Sequence, residues 1–202
     1  MTGDSNRREA AIAGHRGDEK TARALLAHDD AATRASALAA LARMGRLAPN
    51  DLSAALADGD PAVRRRACQV AGAADAGDVD DVVPALIERL ADADDAVVEM
   101  AAWALGERGD GTDPTVTALA AVAGGHADAL CREAAVAALG AIGAPAGLPA
   151  ILAATTDKPA VRRRAVLALA PFDGPEVEAA LHRALEDRDW QVRQAAEDLL
   201  AP

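Results

Sequence analysis

Aromatic side chains are nearly missing from this chain of 202 residues, which has one Phe, two Trp and no Tyr. A compact core of this size ordinarily draws on aromatic bulk, because each ring buries a large apolar area. Ala takes that place, with Leu and Val behind it, in a sequence that is 51% hydrophobic. Ala combines the highest helix propensity with a very small side chain, so this composition suits helices packed at close range. The expected class is all-α. No run of 18 apolar residues is present, so no hydrophobic helix of spanning length is expected. The first twenty residues lack an apolar segment and do not read as a secretory signal.

Cysteine is scarce too. Cys68 and Cys131 lie far apart in the sequence, each inside a helical phrase. Stacked helical repeats would hold them too far apart to bridge, so both read as small buried apolar residues. A reduced, cytoplasmic setting is the expectation. Basic residues are outnumbered 32 to 21, for a net charge of −11, which argues against a general affinity for nucleic acid or anionic membranes. None of the four His (His15, His28, His126, His182) stands in an H-x-x-H, a His-Glu pair or a Cys–His cluster, so no metal site is expected. No phosphate loop, nucleophile elbow or dinucleotide fingerprint occurs, so neither a cofactor nor a catalytic residue is expected.

What the chain does have is one phrase repeated six times. Arg34, Arg64, Arg132, Arg162 and Arg193 recur at steps of 30 to 34 residues, with Val98 in the same slot. Three residues later comes an Ala in every copy: Ala37, Ala67, Ala101, Ala135, Ala165 and Ala196. Seven later comes Leu or Ala, and four earlier comes Asp in every copy but one, which has Lys158 with Asp157 beside it. The Asp suits a helix N-cap, and Pro61 and Pro159 follow at the first helical position, where a missing N–H is harmless. The residue before the Arg, the Ala and the Leu share one helical stripe, which faces the core. Gly72, Gly106 and Gly140, eight after the slot, are expected to end or bend the helix.

Shorter amphipathic segments at about 18–28, 50–57, 79–91, 114–123, 146–154 and 175–186 precede these helices. Pro84 lies inside one of them and is expected to kink that helix or to start it. Each repeat is then a hairpin of a helix A and a helix B. Such a hairpin cannot bury its apolar face alone, and stacking builds the core.

The phrase D-x-x-V-R-x-x-A-x-x-A-L-G resembles the HEAT repeat, in the short form first noted in phycobilisome lyase subunits, over about residues 18–201. The resemblance implies a right-handed α-solenoid of about six hairpins, armadillo/HEAT-like, with B helices on the concave side. The domain reading is a capping helix in 1–17 and one solenoid in 18–202, a monomer. The family's members are mostly scaffolds and adaptors, so the implied role is non-enzymatic binding of a protein or peptide in the concave groove lined by the B helices. Two alternatives are a nucleic-acid-binding solenoid, using Arg64 to Arg66 and Arg162 to Arg164, and an accessory subunit of a lyase-type enzyme.

In repeats of this type the Arg commonly pairs with an Asp in the turn between helices A and B. Arg34, Arg64, Arg132, Arg162 and Arg193 are therefore read as a structural ladder, with Asp58, Asp92 and Asp187 as its receivers. Residues one and five after the slot point away from the core. That row contains Arg65, Glu99, Trp103, Glu133 and Arg163, a mixed-charge groove suited to a peptide or protein surface. Trp103 either anchors the partner or folds over a neighbouring helix to fill a gap.

Overall fold

The structure, a computed structural model, describes residues 3–73, 82–109 and 111–201. These residues form thirteen α-helices and one 3-10 turn, with no strand among them. The chain packs as two compact units, Met1–Ala104 and Leu105–Pro202.

The first unit holds α1 (Gly3–Arg16), α2 (Glu19–Leu25), α3 (Ala31–Arg43), α4 (Pro49–Leu56), α5 (Pro61–Ala73), α6 (Val83–Arg89) and the start of α7 (Asp95–Arg108). α2 and α3 make the first hairpin and α4 and α5 the second. α3 packs on α5, so B helix lies against B helix. Leu38 and Leu41 of α3, Leu52 and Leu56 of α4, and Val63, Ala67 and Ala71 of α5 are buried. Each buried Leu contributes about 2 kcal/mol by removing apolar surface from water. Pro84 stands in the first turn of α6, so it starts that helix rather than kinking it. Positions 79–81 of the expected segment lie outside the described residues.

The second unit holds the rest of α7, then α8 (Asp113–Gly125), α9 (Ala129–Ile142), α10 (Leu148–Ala154), α11 (Pro159–Ala168), α12 (Pro175–Ala184) and α13 (Trp190–Leu200). α8 and α9, α10 and α11, and α12 and α13 pair as hairpins, and α9 packs on α11 and α11 on α13. Its core is the same stripe again: Ala135 and Leu139, Val161, Ala165 and Leu169, Val192 and Ala196.

Caps fall where the phrase puts an Asp. Asp30, Asp60, Asp94, Asp128 and Asp189 each accept a hydrogen bond from a backbone N–H in the first turn of the following helix. Before α11 the cap position is Lys158, with no side-chain cap, and Asp157 accepts the Lys158 N–H at 2.6 Å.

The glycines eight after the slot lie inside the described span of their helices. Gly72 lies within α5 and Gly140 within α9. A Cβ on Gly140 would stand 2.7 Å from the Cα of Ala168 in the next B helix, and one on Gly72 would stand 2.9 Å from the Cα of Ala104. Their role is close approach of neighbouring backbones, which only Gly permits at those distances.

α1 obeys the same rule. A Cβ on Gly14 would meet Ala40 of α3 at 2.8 Å, the relation that Gly72 has to Ala104. In this register Asn6 occupies the Arg slot, and its Nδ2 lies 2.8 Å from His28 Nε2. His28 stands six before Arg34, where later repeats place the receiving Asp, and its Nδ1 accepts the Asp30 N–H as Asp58 accepts that of Asp60. A ring whose Nδ1 accepts carries its proton on Nε2 when neutral, so Asn6 must turn its amide oxygen toward it. α1 is thus a B-type helix with a neutral version of the ladder pair.

Candidate functional site

At four of the six slots the ladder joins a B helix to the next repeat. Arg34 donates from Nε and Nη2 to the two oxygens of Asp58, and Arg64 does the same to Asp92. In the second unit Arg132 holds Asp157 and Arg162 holds Asp187. All eight distances are between 2.7 and 2.9 Å, the range of bidentate, charge-assisted bonds. Each Nη1 turns back to carbonyls of its own turn, such as His28 and Asp29 for Arg34 and Asp58 for Arg64. The hydrogen bond from the Arg is the main cause that holds Asp58, Asp92, Asp157 and Asp187 below the ordinary carboxylate range.

Two slots differ. Val98 is 1% exposed, an apolar residue in the Arg position. Arg193 donates to the carbonyls of Asp187 and Arg188 at 2.7 and 3.3 Å, so its guanidinium is anchored like the others. No carboxylate among the described residues pairs with its remaining N–H groups.

The outward row divides between the two units. In the first, Arg65, Glu99 and Trp103 are exposed, while Ala35 of α3, one after the slot, is buried. Trp103 is 38% exposed, and its Cζ3 lies 2.7 Å from where a Cβ of Gly72 would be. The ring rests on the bare backbone of α5 with one face in water. In the second unit Glu133 is half-buried and pairs with Arg164 at 3.3 Å, whereas Arg163 is exposed with no ion-pair partner among the described residues.

Arg163 and Leu167 of α11 face Trp190, Gln194 and Asp198 of α13 across a cleft of about 240 Å³. Trp190 is 64% exposed, well beyond Trp103. The residue was readable in the sequence. Three before the slot the other copies carry Ala31, Pro61, Asp95, Ala129 and Pro159, all small or polar, and only the sixth carries a Trp. The outward row of one and five after the slot begins one turn too late to include it.

Neither Cys68 nor Cys131 is in a disulfide, and both are buried. Burial pushes the Cys68 thiol up to about 12, so it is not a nucleophile at neutral pH. No described helix is long and apolar enough to cross a membrane.

The six hairpins, the Arg–Asp ladder and the glycine contacts are a repeat architecture, and the comparisons decide which. Residues 49–140 and 149–201 match the family model of HEAT repeats, well over half of the chain. The chain belongs to the HEAT-repeat family. Residues 132–157 also match the PBS lyase HEAT-like repeat. No curated protein sequence matches this HEAT-repeat chain. Among solved structures, an engineered protein is similar at 22% identity and a TM-score of 0.65, covering 91% of this chain and 95% of its own. The Escherichia coli protein YibA is similar at 19% identity and a TM-score of 0.65, covering 99% of this chain and 70% of its own. A designed armadillo repeat protein, solved in complex with the peptide (KR)4, is similar at 18% identity and a TM-score of 0.64, covering 90% and 97%. At these identities the likeness establishes the all-α, armadillo- and HEAT-like α-solenoid fold.

Proposed function

We propose that this HEAT-repeat protein is a non-enzymatic, cytoplasmic scaffold that binds a protein or peptide segment on the outward face of its B helices. The observation that carries the proposal is the cleft between α11 and α13, with the exposed ring of Trp190 and the unpaired guanidinium of Arg163 on its two walls. An exposed Trp beside an Arg is the composition of a binding hot spot, in which Trp and Arg are enriched. A designed armadillo repeat protein of the same fold holds a peptide, which supports the kind of partner.

Arg65, Glu99 and Trp103 belong to the same reading in the first unit, as a flanking surface of mixed charge. Glu133 is a weaker contributor, since its carboxylate is engaged by Arg164. Nucleic acid is the second reading. The Arg triplets do not favour it, because Arg64 and Arg162 are held by Asp92 and Asp187 and Arg164 by Glu133.

The test is affinity capture from the native lysate with the wild type and with Trp190→Ala, Arg163→Glu and Trp103→Ala. Loss of the same captured protein in the first two variants is expected, with the far-UV circular dichroism unchanged. Folded variants that capture every protein the wild type captures contradict the site.

A further inference from the structure

Most carboxylates near the α11–α13 cleft are engaged, whereas its one cation, Arg163, makes no ion pair among the described residues. Asp157 is engaged by Arg132, Asp187 by Arg162 and Glu133 by Arg164. Asp189 caps α13 by accepting the Gln191 N–H. The cations here are less well matched. Arg163 lines the cleft and makes no ion pair among the described residues. Arg193, one turn along α13 from Trp190, is anchored by the carbonyls of Asp187 and Arg188, and its Nε and Nη2 have no carboxylate among the described residues. In the other ladder arginines that same fork grips an Asp at 2.7 to 2.9 Å. The anionic end of the cleft is Asp198, two turns from Trp190, where Gln194 already donates to it at 2.8 Å. Glu197 lies one turn beyond Arg193 on the α13 surface and makes no ion pair among the described residues.

We infer that the α11–α13 cleft receives an acidic peptide segment, in which an Asp or Glu side chain meets Arg163 and an adjacent apolar side chain covers Trp190 and Leu167. This rests on the scaffold reading above and adds the chemistry of the occupant. Charge complementarity carries it. An unpaired guanidinium next to an aromatic face forms a bidentate bond to a carboxylate in partly dehydrated surroundings, where the bond is stronger than in open water. The occupant thus has the opposite sign from the (KR)4 peptide held by the designed armadillo protein. It also binds against the net charge of −11, so its recognition is local rather than steered from a distance.

The experiment titrates the full chain into two fluorescently labelled synthetic peptides at low salt. One alternates Glu and Leu, and the other carries Lys in place of each Glu. The Glu peptide is expected to bind and the Lys peptide to bind at least about tenfold more weakly. Trp190→Ala weakens the Glu peptide by about thirtyfold, the loss typical of a hot-spot ring. Arg163→Glu weakens it by about tenfold and strengthens the Lys peptide. Asp198→Asn leaves the Glu peptide as tight or tighter. Equal binding of the two peptides, preference for Lys, or an Arg163→Glu variant that keeps the wild-type preference overturns the inference. If such a result comes with binding that Trp190→Ala abolishes, the scaffold reading stands and only the acidic occupant falls. If no peptide binds and Trp190→Ala changes no captured protein, both fall.

Discussion

Trp103 and Trp190 both stand on B helices, in the third and sixth repeats, yet one is part of the stack and the other is open. Trp103 has a glycine beneath it, and its ring fills the space that a side chain at position 72 would take. Trp190 stands at the N-terminus of α13, and its neighbours across the cleft are Arg163 and Leu167, neither of which covers it. The same contrast separates the seams between B helices from the cleft. Seams are closed by Gly against Ala and by Arg against Asp, while the cleft has large side chains with open space between them. Exposure is therefore set by what the neighbouring helix offers, not by the position in the repeat alone.

The largest expected effect comes from opening a seam. Asp92 has a side chain only 4% exposed, and Asp92→Ala would leave the Arg64 guanidinium without its partner. A loss of about 3 kcal/mol is expected in urea unfolding, because a half-buried charge is left uncompensated. The same ladder sets the acid response. The Asp groups are held below their ordinary range when folded, so their stabilisation is fully present above the unfolded carboxylate pKa of about 4. It is lost as pH falls through the lower folded values. Thermal unfolding between neutral pH and about pH 3 is expected to show a steep drop that Asp92→Ala makes shallower.

The glycine contacts give a test in which the sign reverses. Gly140→Ala places a Cβ 2.6 Å from that of Ala168 and is expected to lose about 1 to 2 kcal/mol, overpacking outweighing the gain in helix propensity. Gly124→Ala, near the end of α8 with nothing within 4 Å of the new Cβ, is expected to gain about 0.5 kcal/mol. Melting both variants side by side separates close approach from propensity.

A smaller effect distinguishes the two rings. Trp103→Ala uncovers Gly72 and is expected to lose about 1 to 2 kcal/mol. Trp190→Ala is expected to stay within about 0.5 kcal/mol of the wild type, as an open surface change does. Equal losses would erase the distinction between them.

Much of the fold was legible because its rules are local and repeated. The Asp caps, the Ala at three and the Leu at seven after the slot recur with the same physical cause, so six hairpins follow from spacing. The fourth receiver was half legible: Asp157 is one residue out of register, and was read as a cap when it takes Arg132. The close approach at Gly72, Gly106 and Gly140 was not legible, since a glycine's neighbour in the next repeat does not show in its own helix. The α1 register was hidden by Asn6 and His28, which replace the charged pair with a neutral one. At the candidate site, Arg163 was legible from the row it occupies. Trp190 was missed because the row was begun at one after the slot. The packing of Trp103 on Gly72 needs the approach of two helices, which spacing alone does not supply.

The most direct test places each ring alone in the full chain, with Trp190→Phe leaving Trp103 and Trp103→Phe leaving Trp190, and follows acrylamide quenching as the Glu and Leu peptide is added. Without peptide, Trp190 is expected to be quenched more strongly than Trp103. With peptide, Trp190 becomes protected and Trp103 does not change. Protection of Trp103 with Trp190 unaffected would contradict the account, since it would put the partner on the ring assigned to the stack.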